Sequence, residues 1–428
     1  MAPVELATES YSELDTNDNR IRCSAAASKK DRSVENALIS KIMQLDETSC
    51  DVGDEDSFFV ADFKELKKSV ELWNSELPQV HAHYAVKCNN DIETVRYLAS
   101  QGLNFDCASK NEIEFVLGLG VSPDRIVYAN PCKNASHIRY ACQQGVNMTT
   151  VDNSYELYKL KKYHPRCGIL IRLATDDSSA QCQLSTKFGC TVETALNELL
   201  PLANDLELNV RGVAFHIGSG AKDVDPMFVA IRDSRMFFDK AIELGFNVDT
   251  LDIGGGFERE TFEDISAMTR YGLDKFFPPG FTQKHNIRFI AEPGRFMVAS
   301  AFTLATYVTS KRDLGCNEDN IDAMLYINDG VYGNLNCILF DHQHPIPRLV
   351  EFGGDDNADA KGEHYHYSVW GPTCDGLDCV SPMARFPRSI HVGDWLYFTE
   401  VGAYTSAAAT SFNGFIYDSE VIYINTEL

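Results

Sequence analysis

Short apolar runs alternate with segments of helical spacing from Ser57 to about residue 300, and this alternation constrains the fold most. Most of the runs are apolar along their whole length, which is typical of strands covered on both faces. Parallel strands that alternate with helices and close on themselves form a (β/α)8 TIM-like barrel, an α/β fold. The predicted barrel strands are His81–Lys87, Leu103–Ser109, Ile126–Asn130, Met148–Asn153, Gly168–Leu173, Val210–Ile217, Val248–Gly256 and Arg288–Gly294.

A different pattern begins after about Ala301, where the helical periodicity fades and short strand-like runs follow. These runs are separated by turn-prone residues and predict a C-terminal antiparallel β-domain. The acidic stretch Gly354–Glu363 is interpreted as a surface loop. We expect a disordered polar tail over residues 1–33, a segment over 34–60 that contributes to the β-domain, the barrel over 61–300 and the β-domain over 301–428.

The charge balance is strongly acidic, with 38 basic and 62 acidic residues. An anionic surface repels phosphate backbones and anionic lipids, so we expect neither nucleic-acid nor membrane binding. The 13 cysteines lack the density of a disulfide scaffold and the paired spacing of a zinc site. Residues 1–20 lack the apolar core of a signal peptide. We therefore expect a soluble cytoplasmic protein with reduced thiols.

Polar residues stand at the carboxyl ends of the predicted barrel strands, where barrel enzymes place their catalytic groups. Together they offer an amine, an imidazole, a glycine-rich anion cradle, carboxylates and guanidinium groups. This set suits a phosphorylated aldehyde cofactor with a basic ring nitrogen. The residues are Lys87, Asp106, Arg172, His216, Gly254, Gly255, Gly256, Glu292 and Arg295.

Three of these side chains have a predicted role and an ordinary alternative. Lys87 is either a solvated strand end or the amine that forms a Schiff base with the aldehyde, which requires a deprotonated amine and a lowered pKa. Glu292 is either a loop carboxylate or the partner that keeps the ring nitrogen protonated. His216, flanked by glycines, is either a structural histidine or stacks on the cofactor ring.

The glycine run follows the predicted seventh strand, where loop amides commonly bind phosphate in barrel enzymes. A flexible turn is the alternative. Gly294 and Arg295, which follow Pro293 at the end of the eighth strand, would close the same cradle, because arginine clamps phosphate oxygens through two hydrogen bonds. Ser219 would reach the phosphate from the sixth strand.

A cysteine and an aspartate stand side by side in a Gly/Pro-rich segment of the predicted β-domain. Cys374 could donate a proton as a general acid if its thiol stays protonated. Asp375 would place negative charge where a substrate ammonium group docks. The alternative is an ordinary turn.

The motifs of this chain resemble those of eukaryotic ornithine decarboxylases, most densely the fungal-type members, within the alanine-racemase-like (fold type III) pyridoxal-phosphate group. The resemblance extends from about Asp56 to the end of the chain. It is carried, in family order, by SFFVADF, YAVKCN, NFDCASK, RIVYANPCK, ATDDS, LSTKFG, FHIGSG, LDIGGGF, AEPGRF, NCILFDHQ, WGPTCDGLD, VGDWLYF and GAYTSAAATSFNGF.

The resemblance implies decarboxylation of L-ornithine to putrescine and CO2, the first step of polyamine biosynthesis, with pyridoxal 5'-phosphate as cofactor. It implies that Tyr404 joins the phosphate site and that Asp106 lies close to Lys87. It also implies that Asp341 and Asp375 bind the distal ammonium group of the substrate, with Phe340 and Tyr332 beside them. The sites of this family lie at a head-to-tail homodimer interface, to which Cys374 and Asp375 come from the opposite protomer. An antizyme-like regulator is a further expected partner.

Some positions depart from the family pattern. His81–His83 replace a Lys-Pro-Phe-like run, and Asn90 replaces a common proline. Gln183 stands where an arginine is usual, in a stretch that resembles the mobile loop over the site. Phe340 replaces a tyrosine of the animal members, which weakens the predicted preference for ornithine over lysine.

Three functions therefore remain open: an ornithine decarboxylase, a lysine or dual lysine/ornithine decarboxylase, and a catalytically inactive regulatory paralogue. One methylene changes substrate discrimination by only about 1–3 kcal/mol, so the sequence leaves the first two open. The inactive paralogue predicts loss of the lysine, the phosphate cradle or the proton donor, and all three are present.

Overall fold

The computed structural model describes residues 32–45, 51–221, 223–315, 320–352 and 364–427. Nearly all of the predicted disordered tail, up to residue 31, lies outside these residues, and so does the stretch Gly354–Glu363. Within the described residues the chain forms a closed parallel barrel and a second, curled sheet. The predicted fold class is thereby confirmed.

Each barrel strand pairs in parallel with the next strand along the chain, and the last pairs with the first. The observed strands are shorter than predicted because their last residues turn out of the ladder into the loops of the rim. Lys87, for example, lies in the 3-10 turn Val86–Cys88. The strands are Val80–Ala85, Asn104–Cys107, Ile126–Tyr128, Met148–Val151, Gly168–Arg172, Asn209–Ala214, Thr250–Asp252 and Arg288–Ala291.

Several barrel helices begin at a polar side chain that caps the first turn soon after a strand ends. Asp91 accepts a hydrogen bond from the amide of Thr94 at 2.8 Å, and Ser109 accepts one from Glu112 at 3.2 Å. Such caps satisfy amides that have no partner within the helix. The helices of the barrel are Phe63–Glu76, Ile92–Ser100, Lys110–Gly118, Ala135–Gln144, Ser154–Tyr163, Val192–Thr194, Leu200–Asp205, Asp225–Glu243, Phe262–Phe276, Pro279–His285 and Arg295–Val298, with a π-helical stretch over Ala195–Leu199.

The second sheet combines the C-terminal strands with one strand from before the barrel. Phe58–Asp62 pairs antiparallel with Phe302–Asp313 and parallel with Val421–Ile424. The sheet is mainly antiparallel, with a second parallel pair between Ala323–Ile327 and Tyr365–Trp370. Its other strands are Arg348–Leu349, Cys379–Phe386 and Trp395–Phe398.

Helix Ser33–Ile42 covers one face of this sheet. Its residues Leu38 and Ile42 are buried in a small core with Phe58, Val60 and Trp395. The short helix Cys337–Phe340 leads into Asp341 at the edge of the barrel. In the part of the chain that the structure describes, no helix is both long and apolar enough to cross a bilayer.

Candidate active site at the barrel rim

Most of the predicted site residues line one cavity of about 470 Å³ at the carboxyl ends of the barrel strands. The barrel therefore brings together residues that are up to several hundred positions apart in the sequence. The predicted residues that line the cavity are Lys87, Arg172, His216, Ser219, Gly256, Glu292, Gly294, Arg295, Phe340, Asp341 and Tyr404.

Lys87 reaches into this cavity, where 42% of its side chain is accessible. Its Nζ donates a hydrogen bond to Oδ2 of Asp106, a buried carboxylate on the neighbouring strand Asn104–Cys107. Burial alone would lower the pKa of Lys87, but the interactions with Asp106, Tyr404 and Glu292 outweigh it and raise the pKa. The predicted lowered pKa is therefore not found, because the ion pair with Asp106 stabilises the protonated amine.

Glu292 follows the eighth strand, and its backbone amide donates to the carbonyl oxygen of Gly254 at 2.6 Å. Its Oε1 is buried without a hydrogen-bond partner. Burial raises the pKa of Glu292 well above its usual value, and the nearby carboxylates of Asp252 and Asp106 raise it further. A cationic N–H donor placed at Oε1 would remove both penalties.

The glycine run is shaped by left-handed backbone angles and by close neighbours. Gly254 has a φ of 67° and Gly256 a φ of 97°, which favour glycine. A Cβ on Gly255 would lie 2.8 Å from both Nε2 of His216 and the carbonyl oxygen of Glu292. Gly256 lines the cavity itself, whereas Gly254 and Gly255 are buried behind it and hold the turn.

An aromatic cluster fixes the two loops that approach the predicted phosphate position. Trp73 of helix Phe63–Glu76 lies with its ring centroid 4.9 Å from Phe257 and 5.7 Å from Phe296. These two phenylalanines directly follow Gly256 and Arg295 in the sequence. Close aromatic packing therefore holds both loops against one rigid helix.

His216 has a fixed ring, because its Nδ1 accepts a hydrogen bond from the amide of Gly218 at 3.0 Å. Burial, followed by the charges of Arg172 and Lys87, lowers the pKa of His216 well below its usual value. A neutral, flat imidazole of this kind can stack on a cofactor ring without adding charge. Ser219 begins a short strand that pairs with Ala180–Cys182 beside the cavity.

Arg295 bonds to Asp341 through Nη2, and its Nε lies 3.2 Å from Oε1 of Glu258. The ring of Tyr404 lies below the guanidinium, with its centroid 5.3 Å from Cζ of Arg295. Tyr404 has a φ of 54°, a conformation uncommon for a residue with a side chain. Its amide donates to the carbonyl oxygen of Cys88 at 2.8 Å, which ties the β-domain to the Lys87 turn.

Three predicted residues lie in the β-domain, away from this cavity within the same chain. The hydroxyl of Tyr332 donates to Oδ2 of Asp375. Cys374 is exposed, and its amide donates to Oδ1 of Asn413 at 3.0 Å.

Pro293, which was also predicted as a cofactor-site residue, is buried under the rim of the barrel. Its carbonyl oxygen accepts a hydrogen bond from the amide of Ala85 at 3.2 Å.

Sequence reasoning missed several residues that line the cavity or support it. Asp252 ends the seventh strand, accepts from the amide of Gly254 at 2.9 Å and lies beside Glu292. Burial raises the pKa of Asp252 above its usual value. Asn130 could have been found, since it ends the predicted strand Ile126–Asn130, whereas Asp252 was hidden inside the predicted strand Val248–Gly256, of which only Thr250–Asp252 pairs. The other cavity residues lie in or beside motifs of the resemblance but were not singled out; they are Ala85, Ala108, Ala129, Pro131, Cys182, Leu184, Lys187, Phe188, Phe257, Asn336 and Ala408.

A family model described as the pyridoxal binding domain of pyridoxal-dependent decarboxylases matches residues 63–299. These residues form the whole barrel. The chain belongs to the pyridoxal-dependent decarboxylases. The unpartnered Oε1 of Glu292, the glycine turn and the amine of Lys87 fit this cofactor, which offers a ring nitrogen, a phosphate and an aldehyde.

Two curated fungal relatives are similar over most of the chain. An ornithine decarboxylase of Candida albicans is 53% identical over 418 residues, which cover 92% of this chain and 88% of the relative. An ornithine decarboxylase of Saccharomyces cerevisiae is 49% identical and covers 92% of this chain and 86% of the relative. The resemblance to fungal-type ornithine decarboxylases is confirmed. The hypothesis of an inactive paralogue is not supported, because Lys87 and Arg295 are present and line the same cavity.

Solved structures of related decarboxylases share the fold. The arginine decarboxylase of Paramecium bursaria Chlorella virus, bound to agmatine, has a TM-score of 0.81 and 35% identity, covering 91% of this chain and 100% of that one. The lysine/ornithine decarboxylase of Vibrio vulnificus, complexed with cadaverine, has a TM-score of 0.77 and 28% identity, covering 91% of this chain and 98% of that one. The neighbours therefore span three basic amino acids.

Proposed function

We propose that the chain decarboxylates L-ornithine to putrescine and CO2. The observation that carries this proposal is the joint presence, on one cavity, of the Lys87 amine, the buried carboxylate of Glu292 and the Arg295–Asp341 pair. Curated relatives from fungi and from rat are ornithine decarboxylases, the latter at 46% identity over 376 residues.

The residues around Lys87 serve the chemistry of the cofactor. Pyridoxal phosphate, when bound, supplies an electron-withdrawing ring that accepts the electron pair left when CO2 departs. Lys87 holds the cofactor, and Asp106 Oδ2 is the acceptor in contact with the proton that Nζ must give up. Glu292 would keep a proton on the ring nitrogen of the bound cofactor, and the neutral His216 would stack on its ring.

A second group of cavity residues would bind the cofactor phosphate. They are Ser219, Gly256, Gly294 and Arg295, with Tyr404 beside the guanidinium group of Arg295. Arginine and loop amides are suited to a phosphate dianion, because the arginine is charged and the amides are fixed hydrogen-bond donors.

The substrate ammonium group and the proton donor require a second copy of the chain. Asp341 lines the cavity, whereas Cys374 and Asp375 lie in the β-domain and do not line the same chain's cavity. We propose a head-to-tail homodimer in which Asp375 completes the ammonium site and Cys374 donates the proton to the carbon that lost CO2. Each dimer then has two shared sites.

Subunit mixing tests the shared site. Lys87→Ala and Cys374→Ala are each expected to be inactive in putrescine formation when assayed alone. After the two variants are mixed and re-equilibrated, about a quarter of wild-type activity should return, since half the dimers are mixed and each has one intact site. Activity that does not return on mixing would contradict sites shared between protomers, while decarboxylation by the wild type would still stand.

Steady-state kinetics on ornithine, lysine and arginine test the substrate. Lysine is the second candidate, because Phe340, next to Asp341 and 62% exposed, lacks a hydroxyl group at the distal end of the cavity. We expect the highest kcat/KM for L-ornithine. Phe340→Tyr is the matched variant and should increase the preference for ornithine over lysine. A higher kcat/KM of the wild type for lysine would overturn the assignment.

We also propose a cytoplasmic location and control by an antizyme-like protein. The acidic charge balance and the likeness to ornithine decarboxylases support these proposals. Cell fractionation tests the first proposal, and a sedimentable, membrane-bound pool would contradict it. Titration of activity with an antizyme-like protein tests the second, and unchanged activity at saturation would contradict it.

A further inference from the structure

Two carboxylates contact the guanidinium group of Arg295 at different nitrogens. Asp341 bonds to Nη2 and lines the cavity that contains Lys87. Glu258 lies 3.2 Å from Nε and lines a separate small cavity behind Arg295. The accessible fractions of the three side chains are low, at 12% for Arg295, 10% for Asp341 and 20% for Glu258. The ion pairs are therefore largely shielded from water.

Arg295 and Asp341 each have another predicted role. Arg295 stands beside the glycine turn, where a phosphate would bind, and Asp341 faces the substrate space. Nη2 carries two N–H groups, so a phosphate that accepted one of them would lie beside the carboxylate of Asp341, and the two anions would repel each other. Glu258 lies near Nε instead of Nη2.

Asp341 depends on Arg295 for its charge. Burial raises the pKa of Asp341, and the charge and hydrogen bond of Arg295 oppose that rise. The second carboxylate oxygen, Oδ1, has the weakly polar Sγ of Cys182 at 3.9 Å. A buried carboxylate that loses its cation is costly unless another cation replaces it. An alkyl ammonium group is such a cation.

We propose that the cofactor phosphate and Asp341 compete for Nη2 of Arg295, so that phosphate binding releases Asp341 to receive the substrate ammonium group. This inference rests on the proposed function and adds to it the order in which the cofactor phosphate and the substrate amine bind. The phosphate takes the arginine, and the freed carboxylate then binds the amine. Because coupling between two ligands is reciprocal, phosphate and diamine must each strengthen binding of the other.

Equilibrium binding to the cofactor-free protein tests the competition. Pyridoxal phosphate and pyridoxal, which lacks the phosphate, are titrated into the wild type, Asp341→Asn and Glu258→Gln, and binding is followed by absorbance. Asp341→Asn should bind pyridoxal phosphate about tenfold more tightly, as expected when a charged hydrogen bond no longer competes. Its affinity for pyridoxal should be unchanged.

Glu258→Gln is the matched control, because it removes one negative charge near Nε of the same guanidinium group and leaves the contact at Nη2 in place. It should not tighten binding of pyridoxal phosphate. Equal tightening in both variants would show a general charge effect and overturn the proposal, as would unchanged affinity in Asp341→Asn. If neither aldehyde binds to the wild type, the proposed function itself fails.

A second measurement uses the wild-type protein and involves no aldehyde. Putrescine is titrated calorimetrically into the cofactor-free protein, with saturating inorganic phosphate or with potassium chloride of equal ionic strength. Phosphate should tighten putrescine binding about fivefold or more, the lower range of measured coupling between sites. The gain should vanish in Asp341→Asn. Putrescine affinity that does not respond to phosphate in the wild type would contradict the release of Asp341.

Discussion

Replacing Gly254 with alanine places a methyl group where the backbone leaves no room for one. Gly254 has a φ of 67°, and its added Cβ would overlap the carbonyl oxygen of Phe215 and lie 2.9 Å from Cα of His216. Both are backbone atoms just after strand Asn209–Ala214, so no side chain can rotate away. The left-handed angle costs alanine about 1–2 kcal/mol and the overlap a further ~1–3 kcal/mol.

We therefore expect Gly254→Ala to lower the free energy of unfolding by about 2–5 kcal/mol. Cofactor affinity should fall as well, since the turn that carries Gly256 must shift. Urea unfolding followed by circular dichroism, at one fixed protein concentration, measures the first effect. Absorbance titration with pyridoxal phosphate measures the second.

Two other glycines separate the causes. Gly245 has a φ of 89° but no atom within 4 Å of an added Cβ, so Gly245→Ala should lose only the backbone cost of about 1–2 kcal/mol. Gly280, in helix Pro279–His285, has no left-handed φ and no atom within 4 Å of an added Cβ. The free energy of unfolding of Gly280→Ala should therefore be unchanged or higher by up to about 0.5 kcal/mol. The reasoning is refuted if Gly254→Ala unfolds at the same urea concentration as Gly245→Ala.

Three further substitutions have defined outcomes. Lys133→Met removes the buried ammonium group 3.3 Å from Oε2 of Glu156 and should cost about 3 kcal/mol in urea unfolding; an unchanged midpoint would contradict this. Burial lowers the pKa of His83 to about 4, so the unfolded chain binds the extra proton and stability should fall by about 3 kcal/mol between pH 6.5 and 4. The stability of His83→Asn should therefore fall less than that of the wild type over this pH range. Urea unfolding midpoints that shift equally in the wild type and in His83→Asn would contradict this prediction. Cys374→Ala should still release CO2 but yield an aldehyde by-product, whereas clean putrescine formation would exclude Cys374 as the proton donor.

The barrel could be predicted from the sequence because most strands are apolar runs and several helices begin at a local polar cap. Strand ends were less accurate. The run Val248–Gly256 was expected as a strand, but only Thr250–Asp252 pairs, because the glycines turn away. Strand Cys379–Phe386 was missed, since Pro382 interrupts its pattern and proline disfavours a strand interior.

The site could be predicted to the extent that its residues stand at strand ends. Lys87, Glu292 and His216 were found in this way, and the barrel geometry brings them together. The bond between Arg295 and Asp341 had no such signal, because it joins the start of helix Arg295–Val298 to the residue after helix Cys337–Phe340 in the β-domain. The raised pKa of Lys87 was also missed, since it depends on how closely Asp106 approaches in three dimensions.

Reductive trapping tests the central claim most directly, namely that the cofactor aldehyde meets Lys87 in this cavity. The protein loaded with pyridoxal phosphate is treated with borohydride and digested, and the peptides are analysed by mass spectrometry. The modification should lie on Lys87 and should disappear in Lys87→Ala, while Lys187→Ala, which removes another lysine of the same cavity, should keep it. Stoichiometric labelling of any other lysine in the wild type would contradict the account.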